Sequence, residues 1–226
     1  MRIRVRHAYD FGAARGAVGD TLLRPDAWDA ARTGEGPFHL PSTRAEWAQL
    51  ADNDELRARA RGIAAVAAGL DAHTVCSHGV GTGTLELNLV RIAPHLELTC
   101  TDYAPQTVER LTALFPEAVV VLRSLTDPDP PSAHLHLMHR LDAELDDDAW
   151  RTVFTQLRAP VLFVPNVVLH LPAAGREVAR RILRRGRLTH AGWFRNESAL
   201  RALWNGTHTD RRVEVGPAAA YLLLPR

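Results

Sequence analysis

The sequence predicts an α/β protein built on a doubly wound, mostly parallel sheet, and three observations carry that expectation. From residue 73 onward, short apolar runs alternate with helical patterns, as in a parallel sheet covered by helices on both faces. The first run ends in Gly79-Val80-Gly81-Thr82-Gly83, where a glycine turn opens directly into a helix. The last two runs are separated only by Gly216-Pro217-Ala218. That is too short for a parallel crossover, so an antiparallel hairpin closes the sheet edge.

Taken in order, residues 1–41 are rich in glycine and polar residues, with Tyr9, Phe11, Trp28, Phe38 and three prolines scattered among them. This composition predicts a loop-rich arm or lid. Thr43-Arg44-Ala45-Glu46 and Asp52-Asn53-Asp54-Glu55 each have capping-box spacing and announce two helices. The second runs through Ile63 and Val66 and stops near Gly69, a glycine cap. Residues 1–70 are thus expected to form an arm and helical cap, and 71–226 the sheet domain. Strands are expected at 73–78, 97–101, 118–122, 133–138, 160–165, 211–215 and 219–224, a seven-stranded sheet. Helices are expected at 83–93, 105–114, 144–157, 174–185 and 196–204. Asp127-Pro128-Asp129-Pro130-Pro131 excludes regular helix between the third and fourth strands.

Composition narrows the function classes. A formal charge of +1 gives no electrostatic footprint for nucleic acid or an anionic membrane. All 27 basic Lys/Arg positions are Arg, which excludes lysine Schiff-base chemistry. No apolar run approaches the roughly 18 residues of a membrane span, and the N-terminus lacks an apolar signal core, so a cytoplasmic protein is expected. Cys76 and Cys100 cannot build a disulfide framework and are expected as inert packing in strands. The six arginines from Arg176 to Arg187 flank an apolar stripe of Val178, Ile182 and Leu183, which predicts a solvated helix face. His134 and His136 share one strand face, but no third ligand follows nearby, so no metal is expected.

The glycines discriminate between cofactors. A nicotinamide fingerprint needs a third glycine where Thr84 stands. Gly79-x-Gly81-x-Gly83 instead resembles the first motif of class I S-adenosylmethionine-dependent methyltransferases. Thr101-Asp102-Tyr103-Ala104-Pro105 is similar to the acidic end of that family's second strand, and the likeness spans about residues 73–226.

The resemblance implies a Rossmann-like methyltransferase domain with S-adenosylmethionine lying over Gly79, Gly81 and Gly83. Asp102 would accept both ribose hydroxyls and Tyr103 would lie against the adenine. Ser124 and Leu125, after the third strand, and Met138, closing the fourth, complete the expected cofactor contacts. Asp127 is an alternative to Ser124 as acceptor for the adenine amine. Ser77 also belongs to this set, although the family usually has an acid two residues before the first glycine. An Asn-Pro-Pro-aromatic element is absent after the fourth strand, which points away from nucleic-acid amines and toward O- or N-methylation of a small molecule. His139 and His170 are the candidate bases, because an unperturbed imidazole titrates near neutrality. Arg140 is expected either to bind an acidic substrate or to pair with Asp142 or Glu144. The alternatives are a binding protein of the same fold whose cofactor site has decayed and, further off, a nicotinamide-dependent oxidoreductase.

Overall fold

A computed structural model describes residues 2–5, 25–34, 38–166, 168–169 and 192–226 of the chain. The main sheet contains β2 (Thr74–His78), β3 (Glu97–Asp102), β4 (Ala118–Leu122), β5 (Leu135–His139), β6 (Val161–Val164), β8 (His208–Val215) and β9 (Ala218–Pro225). Their order is β4-β3-β2-β5-β6-β9-β8. The first five are parallel, and β9 enters antiparallel to both β6 and β8. The order reverses between β2 and β5, and such switch points open a crevice at the strand carboxyl ends. The hairpin turns at Gly216, whose φ of 59° suits a residue without a Cβ.

Alternation along the strands sends side chains to two cores. On one face Val75, Leu98, Cys100, Leu135, Leu137, Leu162 and Leu222 meet α2 (Arg44–Leu50), α3 (Asp54–Gly69), α4 (Thr84–Ile92) and α5 (Pro105–Leu114) through Trp47, Ile63, Leu87 and Leu111. On the other face Met138, Phe163, Tyr221 and Leu223 meet α6 (Asp147–Gln156) and α7 (Glu197–Trp204) through Trp150, Phe154 and Trp204. Helices α2 and α3 therefore share the first core with the sheet.

Several boundaries differ from expectation, each for a local reason. The N-cap of α3 is Asn53, whose side chain accepts from the N–H groups of Glu55 and Leu56; Asp52 instead pairs with Arg57. The helix ends in a Schellman motif: Ala72 N–H reaches Ala67 O and Asp71 N–H reaches Ala68 O. Its left-handed residue is Asp71, at φ 51°, so Gly69 is the last helical residue rather than the cap. The α6 helix starts at Asp147, not 144, because Asp146 accepts from Ala149 N–H and sets the N-terminus there.

The arm contains more order than its composition suggests. Helix α1 (Pro25–Thr33) packs on α5, where Asp29 accepts from the N–H groups of Gln106 and Thr107. A carboxylate from another helix thus caps the first turn of α5, whose own N-cap Ala104 has no side-chain acceptor. Strand β1 (Arg2–Val5) pairs antiparallel with β7 (Gly192–Arg195), two strands not foreseen from the sequence. The helix expected at 174–185, His170, Tyr9 and Phe11 lie outside the described residues. Among the described residues no helix is long and apolar enough to cross a membrane.

Candidate functional site

A cavity of about 500 Å³ opens at the carboxyl ends of β2, β3 and β5, within the range of small-ligand pockets. Its floor is the glycine turn. Gly79, Gly81 and Gly83 all have left-handed φ values of 57°, 57° and 65°. At Gly81 the requirement is twofold, because a Cβ there would also sit 2.6 Å from a guanidinium nitrogen of Arg32. The turn is held from outside by Trp47, whose indole N–H donates to Thr82 O at 2.7 Å. Gly79 and Gly81 line the cavity, whereas Gly83 begins α4 and packs toward Leu111 and Trp47.

Asp102 ends β3 inside the cavity and is only 6% exposed. Its two oxygens accept from Gly81 N–H at 2.9 Å and Ala104 N–H at 3.0 Å. A carboxylate offers about four acceptor sites, so capacity remains for a ligand's hydroxyls. Burial raises its pKa, while those N–H groups and Arg32 oppose the rise. Tyr103, Ser124 and Leu125 line the same cavity. Asp127 does not: it accepts from Ser124 N–H and shapes that turn from outside.

Ser77 and Met138 do not line the cavity. Met138 is fully buried on the opposite side of the sheet, beside Trp150 and Phe163, because strand alternation turns it toward the aromatic core. Ser77 is buried one turn below the glycines and donates to Glu86 Oε1 at 2.7 Å. Glu86 itself lines the cavity from α4. The carboxylate expected two residues before the first glycine is thus present in space, delivered by the helix. Burial pushes the Glu86 carboxyl up to about 7, against the Ser77 hydrogen bond that lowers it.

His139 lines the cavity, but its base function is occupied. Arg59, from α3, donates to His139 Nε2 at 2.8 Å, because a guanidinium has no acceptor to offer. Burial, then Arg59 and Arg140, pulls the imidazole down to about 3. Arg140 pairs with neither Asp142 nor Glu144. Its Nε donates to Asn166 at 2.8 Å, while Asp142 accepts from Asn166 N–H. The loop that carries these residues is tied down by Arg195 of β7, which is 1% exposed. Arg195 donates to Asp142 O, Leu145 O and the Asp147 carboxylate at 2.6, 2.8 and 2.9 Å.

Two further residues were missed by sequence reasoning. Glu144 lines the cavity, and burial followed by the Asp142 charge pushes it up to about 7. Arg32 of α1 reaches over the glycine turn, with its guanidinium 4.8 Å from the centre of the Trp28 ring and one N–H donated to Phe38 O. Its Nε is buried without a partner among the described residues. Trp28 and Phe38 meet edge to face at 5.4 Å and wall this side. The expected lid aromatics Trp28 and Phe38 therefore do border the cavity.

A glycine turn over an α-helix N-terminus, an acid ending the next strand, and a sheet closed by an antiparallel hairpin define the class I methyltransferase fold. Solved structures agree. The chain is similar to PigF with S-adenosylhomocysteine (TM-score 0.62, 14% identity), covering 97% of this chain and 66% of that one. It is also similar to human N-acetylserotonin methyltransferase in complex with S-adenosylmethionine (TM-score 0.58, 12% identity; 96% and 63% covered). A third similar structure is NcsB1, an O-methyltransferase from neocarzinostatin biosynthesis solved with S-adenosylmethionine and a hydroxylated naphthoic acid (TM-score 0.55, 23% identity; 74% and 53% covered). The chain spans between half and two thirds of the length of these three proteins. No family model and no curated protein matches the sequence.

Proposed function

We propose that the protein is an S-adenosylmethionine-dependent methyltransferase acting on a hydroxyl of a small-molecule acceptor. The observation that supports this most strongly is Asp102. It stands beside a turn of left-handed glycines, inside the cavity, with acceptor capacity left after its two backbone contacts. The residues fit the cofactor: bare backbone at Gly79 and Gly81 for close approach, Asp102 for vicinal hydroxyls, and Tyr103 and Leu125 for a flat heterocycle. Glu86, which lines the cavity beside Ser77, would take the part of the acid that Ser77 lacks and would serve as an acceptor for the cofactor. This supports the catalytic reading over that of a decayed, non-catalytic site.

When bound, the cofactor supplies an electrophilic methyl group on sulfur. What remains for the chain is to exclude water, align the acceptor oxygen and accept its proton. Glu144 takes that proton, since a base held near the working pH is the most effective one. His139, fixed by Arg59, orients the acceptor. Arg32, Trp28 and Phe38 cover the turn and form the side wall. Hydroxylated aromatic acceptors are favoured by the neighbours: NcsB1 was solved with such a compound, and MmcR is a mitomycin 7-O-methyltransferase.

Methyl-labelled cofactor and a panel of phenols, aromatic acids, amines and thiols provide the test. Labelled ether or ester with matching S-adenosylhomocysteine is expected. Cofactor binding with no product from the whole panel would favour a binding protein; label on nitrogen alone would overturn the choice of oxygen.

A further inference from the structure

Neighbouring β2 residues point to opposite faces of the sheet, so the face turned away from Ser77 carries Cys76 and His78. Cys76 is the register partner of His136 on β5. This brings three donors together from two adjacent strands. The Cys76 Sγ and one ring nitrogen from each histidine all lie within 4.8 Å of one another, and all three residues are buried. His78 Nε2 and His136 Nδ1 share a hydrogen bond of 3.0 Å between rings tilted by 28°. His134, two residues before His136 on the chain, does not join the cluster and turns to Thr74 instead.

We propose that Cys76, His78 and His136 form a binding site for a borderline-soft divalent cation such as Zn²⁺. In a tetrahedral zinc site, adjacent nitrogen and sulfur ligands are separated by roughly 3.3–3.6 Å. The three donors therefore need only small rotamer adjustments, and the strands hold their backbones in fixed register. A thiol beside two imidazoles is also the ligand chemistry such ions select. The outer contacts agree. His78 Nδ1 lies 3.3 Å from Thr101 Oγ1, a hydrogen-bond partner that would orient the ring, so that an ion bound at Nε2 would replace the His78–His136 hydrogen bond. On binding, the Cys76 thiol releases its proton to solvent. Three protein ligands leave a fourth position open, and His78 also lines the large cavity, which gives the ion an entry path. The site does not depend on methyl transfer.

The full chain, stripped with a chelator, is titrated with Co²⁺ and then with Zn²⁺ as competitor. The expected result is one equivalent of Co²⁺ with tetrahedral visible bands and a near-ultraviolet thiolate charge-transfer band, both erased by Zn²⁺. Cys76→Ser should abolish the charge-transfer band. His136→Gln should weaken binding by at least ~100-fold, more than is lost with an outer-shell partner alone. His134→Gln should leave the titration unchanged. Zn²⁺ should raise the melting temperature of the unaltered protein, which removes dependence on how well the variants fold. Absence of the charge-transfer band, or a Co²⁺ spectrum that survives Cys76→Ser, would overturn the proposal. Such a surviving signal would come from the acids of the cavity.

Discussion

The two halves of the sheet solve different physical problems. Around β6 and β9, Trp150, Phe154, Phe163, Trp204 and Tyr221 form a continuous block of rings with centroid separations of 5.3–6.0 Å. Around β2, β3 and β5 an aliphatic core of Val75, Leu98, Cys100, Leu135 and Leu137 is joined by buried polar groups, Ser77, Glu86, Asp102, His78 and His136. Both halves bury apolar area and gain stability from it. The second buries titratable groups, which burial forces toward neutrality: Glu86 up to about 7, His78 down to about 3. The titratable groups are therefore concentrated in one half of the sheet, and changes in the two halves should have different consequences.

The largest effect is expected in the aromatic block. Trp150→Ala should cost about 3–5 kcal/mol of stability, read as a shift of the denaturation midpoint, while cofactor affinity of the folded protein stays unchanged. A parallel loss of affinity would show that the halves are coupled.

Glu86→Gln should do the reverse. The folded-state pKa of Glu86 lies above its unfolded value, so the folded state holds the proton more tightly between pH 4.5 and about 7. Through this group the protein loses stability as pH rises across that window, by at most about 3 kcal/mol. The amide keeps the Ser77 acceptor without the charge. At pH 8 the variant should be more stable than the parent and bind S-adenosylmethionine more weakly, and the two should converge in stability near pH 5. A pH-independent stability difference would remove Glu86 from this role.

Smaller effects probe the cavity. Asp102→Ala should weaken S-adenosylmethionine by ~1–3 kcal/mol, the size expected for losing hydrogen bonds to a charged acceptor. Glu144→Gln should lower turnover and abolish an acid limb near pH 7, because only the ionised carboxylate accepts a proton and the parent's rate rises through that pH. His139→Gln should have the smallest effect on the pH profile. An acid limb lost in that variant and kept in Glu144→Gln would exchange the two roles.

Much of the scaffold was legible in the chain. The short apolar runs and the three-residue link before Ala219 revealed the strands and the hairpin, and the glycine spacing with Asp102 pointed to the end of the sheet where the cavity lies. What could not be seen depended on contacts distant in sequence. Helix α1 was hidden by the glycines and prolines around it; its anchor is Asp29 against the start of α5, a contact across some 77 residues. The β1–β7 pair joins residues 2–5 to residues 192–195 through strands of four residues each, too short to show a pattern. Glu86 looked like any acid in a first helical turn, and only the rotation of α4 shows that it meets Ser77. Arg59 blocks His139 from 80 residues away, a relation no local spacing encodes. Met138 illustrates a rule not applied: as the register partner of Phe163, it follows β5 alternation into the aromatic core.

The central claim is that the glycine turn, Asp102 and Glu86 together hold S-adenosylmethionine. Titration calorimetry of the unaltered protein with S-adenosylmethionine, S-adenosylhomocysteine and NAD tests it most directly. Saturable one-to-one binding of both sulfur compounds, tighter for S-adenosylmethionine as pH rises through 7, and no binding of NAD is the expected result. No heat from either sulfur compound at millimolar concentration, or preferential binding of NAD, would contradict it.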